Sequence, residues 1–175
     1  MFVTRAFDAE GAAEIVTAAA GSSSWHDAGI NANLEVDRAV RDAEILFEAD
    51  DPALVGRCRD ALFAATRGIA SAQAARTVLA EIQIVRYHVG GRYVDHRDSP
   101  ALGASPRALS LVCYLNDDFT GGATAFTEPD ITISPLRGVA VAFSPVLLHC
   151  AEPVTAGTKY AITAWYHVPP GAPGR

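Results

Sequence analysis

From Glu81 onward the chain is written in short β-branched and aromatic runs: EIQIVRYHV, RALSLVCYL, ITISP, GVAVAFSP and KYAITAWYHV. Glycine, proline and aspartate turns divide them. Runs of this length and partial alternation predict strands with one face inward. Five or more of them in succession restrict this half to an antiparallel sandwich or barrel. The first third reads differently. DAEGAAEIVTAAA, from Asp8 to Ala20, predicts a helix with Asp8 as N-cap, ended by GSSS before Trp25. Asp51 to Gln73 predicts a second helix, with Asp51 capping, Pro52 at the first helical position, and Leu54, Val55, Leu62 and Phe63 inward. The expected fold class is therefore α+β, mainly β, with N-terminal helices supporting the strands.

The 175 residues suit one domain, 1–175: helical support with short strands to about residue 80, a β core over 81–168, and a frayed tail, 169–175. Half the residues are hydrophobic and 19% are charged, which is a globular composition. A net charge of −6 argues against a protein that tracks nucleic-acid phosphates. No basic segment followed by a long apolar one opens the chain, and no run reaches membrane-spanning length, so neither a signal peptide nor a membrane anchor is expected. Cys58, Cys113 and Cys150 are scattered, odd in number and without CxxC spacing, which fits reduced thiols in the cytoplasm.

Chemistry concentrates in YVDHRDSP, Tyr93 to Pro100. In an extended segment His96 and Asp98 share a face and project side by side, as two ligands of one metal must. Alone, such a pair is as well explained by a solvated loop. His149, closing the apolar segment FSPVLLH, supplies a third donor. Two histidines and one carboxylate leave three positions of an octahedral iron open, whereas a structural zinc site fills four. Cys150 follows His149 directly and is expected to point away from it. Lys159, Ala161, Thr163 and Trp165 share one face of the last strand by parity. An inward lysine demands an anion, and a dicarboxylate chelating the metal would present its far end to Lys159 and Thr163. Ser110, Val112 and Tyr114 share a face that directs the Tyr114 phenol to the same cavity. His26 and His88 read as surface or structural residues, and His167 as peripheral.

Together these motifs resemble the prolyl 4-hydroxylase-like branch of the Fe(II)/2-oxoglutarate-dependent dioxygenases. Tyr87, Gly90, Tyr93, His96 and Asp98 match its Y-x-x-G-x-x-Y-x-x-H-x-D pattern, followed by YLND, GGAT with Phe126, and H-x-A-x-P-V-x-x-G-x-K-Y from His149 to Tyr160. The resemblance covers roughly residues 81–168. It implies a double-stranded β-helix, or jelly roll, with helices on its major sheet. It implies that His96, Asp98 and His149 bind Fe(II), that Lys159, Tyr114 and Thr163 hold 2-oxoglutarate, and that Tyr87 and Trp165 also contact this cosubstrate. Arg107 and Tyr93 match positions facing the substrate. Fe(II), 2-oxoglutarate and O2 would be required, with room for ascorbate as a reductant. The implied reaction hydroxylates an unactivated C–H bond of a proline residue or a small amino acid, or of another small metabolite, with succinate and CO2 as co-products. Asp98 favours hydroxylation over halogenation, since related halogenases replace this carboxylate with a small residue. Ala123 departs from the pattern, where an acidic residue is common between GG and T. A non-catalytic metal-binding sandwich is the rival class, and it has no use for Lys159 and Thr163 beside the triad. Recognition would fall to the loops, Ser99 to Pro106 and Ala28 to Asp50, which favours a small-molecule or short peptide substrate.

Overall fold

A computed structural model describes residues 1–30, 34–67, 77–98 and 107–167. The Ser99–Pro106 loop, the end of the second expected helix and the C-terminal tail lie outside the described residues. In chain order the elements are β1 (Phe2–Arg5), α1 (Ala9–Ala20), β2 (His26–Asp27), β3 (Arg41–Asp42), β4 (Glu44–Phe47), α2 (Pro52–Thr66), β5 (Val78–Tyr87), β6 (Arg92–His96) and β7 (Arg107–Tyr114). There follow β8 (Thr120–Gly121), β9 (Thr124–Phe126), β10 (Ile131–Ile133), β11 (Val139–Phe143), β12 (His149–Ala151), β13 (Val154–Ala156) and β14 (Lys159–His167).

Every paired strand is antiparallel. A seven-stranded sheet runs β1-β11-β7-β14-β5-β4-β2, and a five-stranded sheet runs β10-β9-β12-β6-β3. This is the expected jelly roll, and period-two alternation explains how the major sheet serves two masters. On its outer face Ile82, Ile84, Cys113, Ala140, Ile162 and Ala164 meet Ile15 of α1 and Leu54, Val55, Cys58 and Leu62 of α2. On its inner face the same strands carry Gln83, Tyr87, Val112, Lys159 and Thr163 into a cavity. Small alanines on β11 and β14 let the helices approach the sheet closely.

Both helices start where expected. The Asp8 carboxylate accepts from Gly11 N–H at 2.8 Å and that of Asp51 from Leu54 N–H at 2.9 Å, satisfying donors at the helix ends. Phe63 corrects the expected inward set, because its side chain is 46% exposed. The buried stripe of α2 runs Leu54, Val55, Cys58, Leu62, Thr66, and Phe63 lies about 60° beyond its Thr66 edge. Thr66 then ties α2 to the sheet through a 2.6 Å hydrogen bond with the Tyr166 hydroxyl.

Between the sheets, Tyr114, Phe126, Val141 and Phe143 form an apolar plug. Ala28, Ala43, Ile45, Val85, Tyr87 and Val154 pack a second apolar wall. What remains between them is a cavity of about 680 Å³.

Candidate metal centre and cavity

His96 is the last residue of β6 and His149 the first of β12, and the two are paired directly across these strands. Asp98 lies two residues beyond the strand end rather than within it. Even so, one ligand atom from each of His96, Asp98 and His149 falls within 4.8 Å of the others. His96 Nε2 is 3.6 Å from Asp98 Oδ1, and His149 Nε2 is 3.7 Å from Asp98 Oδ2. Each imidazole is tethered the same way. His96 Nδ1–H donates to the Val94 carbonyl and His149 Nδ1–H to the Leu147 carbonyl, both at 2.9 Å. A carbonyl can only accept, so each Nδ1 carries the proton and each Nε2 turns a lone pair toward Asp98.

Charge follows the same design. Burial pushes the Asp98 carboxyl up, but the two adjacent imidazoles outweigh it and hold the group below the usual carboxylate range. Burial and the neighbouring His96 lower His149, keeping its imidazole neutral. One carboxylate and two imidazoles are the donor set an open Fe(II) site needs. Tyr93 stacks on His96 with ring centroids 3.5 Å apart, and Phe143 meets His149 edge-on at 4.7 Å. These rings fix the imidazole planes.

At the other end of the cavity stands Lys159, 2% exposed. Its ammonium donates to the Gly122 carbonyl at 2.6 Å and faces the rings of Tyr87 and Tyr114, 5.0 and 5.5 Å from their centroids. No carboxylate lies within ion-pairing distance among the described residues. Three donors meet one carbonyl, and burial pulls the lysine pKa down to about 8. The cavity therefore holds an unbalanced cation that a ligand carboxylate would balance. Gly122 is needed there: its φ is +64°, and a Cβ would sit 3.1 Å from Lys159 Cδ.

Thr163, Trp165 and His167 line the cavity with Lys159, as parity requires. Thr163 Oγ1 accepts from Gln83 Nε2 at 2.9 Å. Trp165 Nε1 is buried with no hydrogen-bond partner among the described residues. Tyr114 departs from expectation. Its hydroxyl donates to Thr124 Oγ1 at 2.7 Å, so its ring, not its phenol, is presented to Lys159. Thr124, not Tyr114, lines the cavity. Cys150 also departs: it borders the cavity although β12 pairs with β9 in unbroken register, the extra residue of the β6–β12 pairing lying on β6. Its sulfur is not part of the ligand cluster. Arg107 lies at the cavity wall, paired with Glu81, stacked over Trp165 at 4.1 Å and donating to the Asp98 carbonyl. His167 Nε2 approaches the same Glu81 at 2.6 Å. His26 and His88 stay exposed, paired with Asp50 and Glu44.

Sequence reasoning passed over Gln83, Thr124 and Arg41, all of which line the cavity. Gln83 had a signal, a polar residue at cavity parity inside an apolar strand. Thr124 sits in the GGAT motif. Arg41 had none.

Residues 82–167 match the family model of the 2OG-Fe(II) oxygenase superfamily. The bovine (Bos taurus) prolyl 4-hydroxylase subunit alpha-1 is 31% identical over 105 residues, half of this chain but 20% of that subunit, so the chain spans about a fifth of the curated relatives it matches. Among solved structures, a prolyl-4-hydroxylase from Pseudomonas putida superposes with a TM-score of 0.72 at 18% identity, covering 96% of this chain and 92% of its own. A Trichoplax adhaerens prolyl hydroxylase, solved with a hypoxia inducible factor oxygen degradation domain peptide fragment, gives 0.75 at 18%, covering 95% and 83%. These likenesses concern the fold. The metal-ligand cluster lies wholly inside the segment that matches the 2OG-Fe(II) oxygenase superfamily, and prolyl 4-hydroxylases are among the proteins to which the chain is similar.

Proposed function

We propose that the protein is an Fe(II)- and 2-oxoglutarate-dependent dioxygenase that hydroxylates a proline residue or a free, small amino-acid-type substrate. One observation carries the reading: a His-Asp-His cluster and an unbalanced buried lysine occupy the same cavity. Neither feature explains the other without a ligand that is a chelator at one end and an anion at the other.

In this reading His96, Asp98 and His149 hold Fe(II), and Lys159 receives the far carboxylate of 2-oxoglutarate. Bound iron with 2-oxoglutarate and O2 supplies oxidation of an unactivated C–H bond to the alcohol, with succinate and CO2 as co-products. The chain itself positions and excludes. Thr163, braced by Gln83, adds a hydroxyl beside Lys159, and the Tyr87 and Tyr114 rings shield the ammonium from water. The Val94 and Leu147 carbonyls keep both histidines in the ligating tautomer. Tyr93 and Arg107 form the wall on which substrate lies, and Trp165 borders the cosubstrate. Among the described residues no helix is long and apolar enough to cross a membrane. Three free cysteines favour a reducing compartment such as the cytoplasm.

The test is succinate release from 2-oxoglutarate by protein loaded anaerobically with Fe(II), after oxygen is admitted. Proline peptides and free amino acids form the substrate panel. Turnover that rises with one panel member and vanishes in His96→Ala and Asp98→Ala supports the reading. Failure to bind iron and 2-oxoglutarate would overturn it.

A further inference from the structure

The chain is acidic overall, yet four cationic side chains line this cavity, Arg41, Arg97, Arg107 and Lys159, against Glu81 and Asp98 among the described residues. Three of the four are accounted for. Arg107 is paired with Glu81, Arg97 donates to the Val146 carbonyl at an exposed position, and Lys159 serves the cosubstrate in the reading above.

Arg41 is not. It is 8% exposed, and its Nη1 donates to the Gly29 carbonyl at 2.9 Å. Tyr87 is its other polar neighbour, its Nε is buried with no hydrogen-bond partner among the described residues, and no carboxylate there lies within ion-pairing distance of it. Asp42, the next residue, points to the other face of β3 and is held by Arg38 at 2.8 Å. A guanidinium taken out of water without a counter-anion is costly, and its planar fork suits a carboxylate. Its location indicates whose carboxylate this is. Arg41 is the cross-strand partner of Tyr93, its guanidinium lies 4.9 Å from the Tyr93 ring centroid, and that ring stacks on His96. An anion at Arg41 is thus one aromatic ring removed from the metal centre.

We propose that Arg41 binds the α-carboxylate of the substrate, which makes the substrate a free amino acid, proline-like in the reading above, rather than a residue within a peptide. This inference rests on the oxygenase reading of the same cavity. A peptide-bond carbonyl in place of the α-carboxylate would leave the guanidinium uncompensated, so the site discriminates by charge.

The experiment pairs free L-proline and the other free L-amino acids with their carboxamides, and adds a capped proline peptide, following succinate release by the Fe(II) protein. Calorimetric titration of the same compounds into protein holding Mn(II) and 2-oxoglutarate reads binding without turnover. A free acid is expected to bind and stimulate, its amide far less. Arg41→Met is expected to raise KM for the acid roughly 10- to 100-fold and to bring acid and amide together, the effect falling on the amino acid and not on 2-oxoglutarate. Arg41→Lys recovers part of the loss. Equal stimulation by acid and amide in the wild type, preference for the capped peptide, or no binding of any free amino acid would overturn the proposal. So would a rise in the 2-oxoglutarate KM of Arg41→Met, or a loss equal for acid and amide with a lowered Tm, the mark of a mere tether to Gly29. Absence of Mn(II) and 2-oxoglutarate binding in the wild type would instead sink the oxygenase reading itself.

Discussion

The two ends of the cavity are built on opposite principles. At the lysine end the ladder does the positioning: β14 is paired on both sides, with β5 and β7, and Lys159, Thr163 and Trp165 fall into line by alternation. At the metal end no ligand sits inside a strand. His96 ends β6, which carries an extra residue against β12, Asp98 lies past it, and His149 opens the three-residue β12. There, each imidazole has its own tether to a carbonyl two residues earlier, and the carboxylate is held by the imidazoles. A sheet interior sets direction cheaply but admits little change of spacing. Strand ends let three ligands converge on one point, provided each is separately restrained.

This contrast is broken most severely at the metal end. Asp98→Ala removes the only carboxylate of the cluster, leaving two imidazoles, and succinate formation should fall to background. Asp98→Gly should do the same unless chloride enters the vacated position, which an assay in high chloride would detect. The lysine end is expected to stay intact: 2-oxoglutarate binding to the metal-free variant, followed calorimetrically, should match that of the metal-free wild type. If Asp98→Ala also abolished this binding, the two ends would not be independent constructions.

Lys159→Met attacks the other end. With the ligand carboxylate left unpaired in a buried site, the KM for 2-oxoglutarate should rise by the equivalent of about 2–5 kcal/mol, roughly 30-fold or more, with iron affinity kept. Stability should move the opposite way, because the variant removes an ammonium that the ligand-free protein buries without a counter-ion. The pH dependence carries a matching sign. Burial lowers the folded lysine pKa to about 8 from an ordinary value of 10.5, so between these limits the unfolded chain binds more protons. Stability of the ligand-free protein therefore rises with pH across that window, by on the order of 3 kcal/mol in the lysine's contribution alone. Affinity for 2-oxoglutarate should fall over the same range, since its carboxylate needs the charged lysine. Thermal melts and titrations at pH 7 and 9 check both, and Lys159→Met should flatten each slope. A wild type whose ligand-free stability did not rise would mean that the lysine is already compensated.

The same contrast explains what could be read from sequence. Parity along KYAITAWYHV placed Lys159, Thr163 and Trp165 on the cavity wall because β14 is long and regular, and alternation on β5 turned Ile82 and Ile84 to the helices. The metal ligands obey no such rule. His96 and Asp98 converge although the strand stops between them, and their grouping with His149 was legible from the motif resemblance and the donor chemistry. Parity reached its limit at Tyr114, whose orientation depends on Thr124 in the opposite sheet, and at Cys150, on a strand only three residues long. Arg41 was illegible for a plainer reason: β3 is two residues long, too short to have a period. Its importance arises only when pairing with β6 lays it beside Tyr93. The inward expectation for Phe63 failed in the converse way, on a helix whose apolar residues are more numerous than its buried stripe can take.

The smallest expected effect sharpens the account of the lysine end. Thr163→Val preserves shape and β propensity while deleting the hydroxyl that accepts from Gln83 Nε2. If Thr163 serves only as a brace, the loss falls on stability, because the Gln83 amide is left buried with an unmet donor, at a cost of about 1–3 kcal/mol. If the hydroxyl also donates to the ligand carboxylate, as its place on the Lys159 face suggests, the KM for 2-oxoglutarate should rise a further few-fold, roughly the worth of one hydrogen bond. Gln83→Leu separates the two roles. It removes the brace but leaves the hydroxyl, now free to rotate toward the ligand. Thr163→Val raising the KM about fivefold while Gln83→Leu leaves it within a factor of two would assign the hydroxyl to 2-oxoglutarate. Equal changes in both would assign it to the scaffold, and the lysine end would then rest on Lys159 and the rings around it.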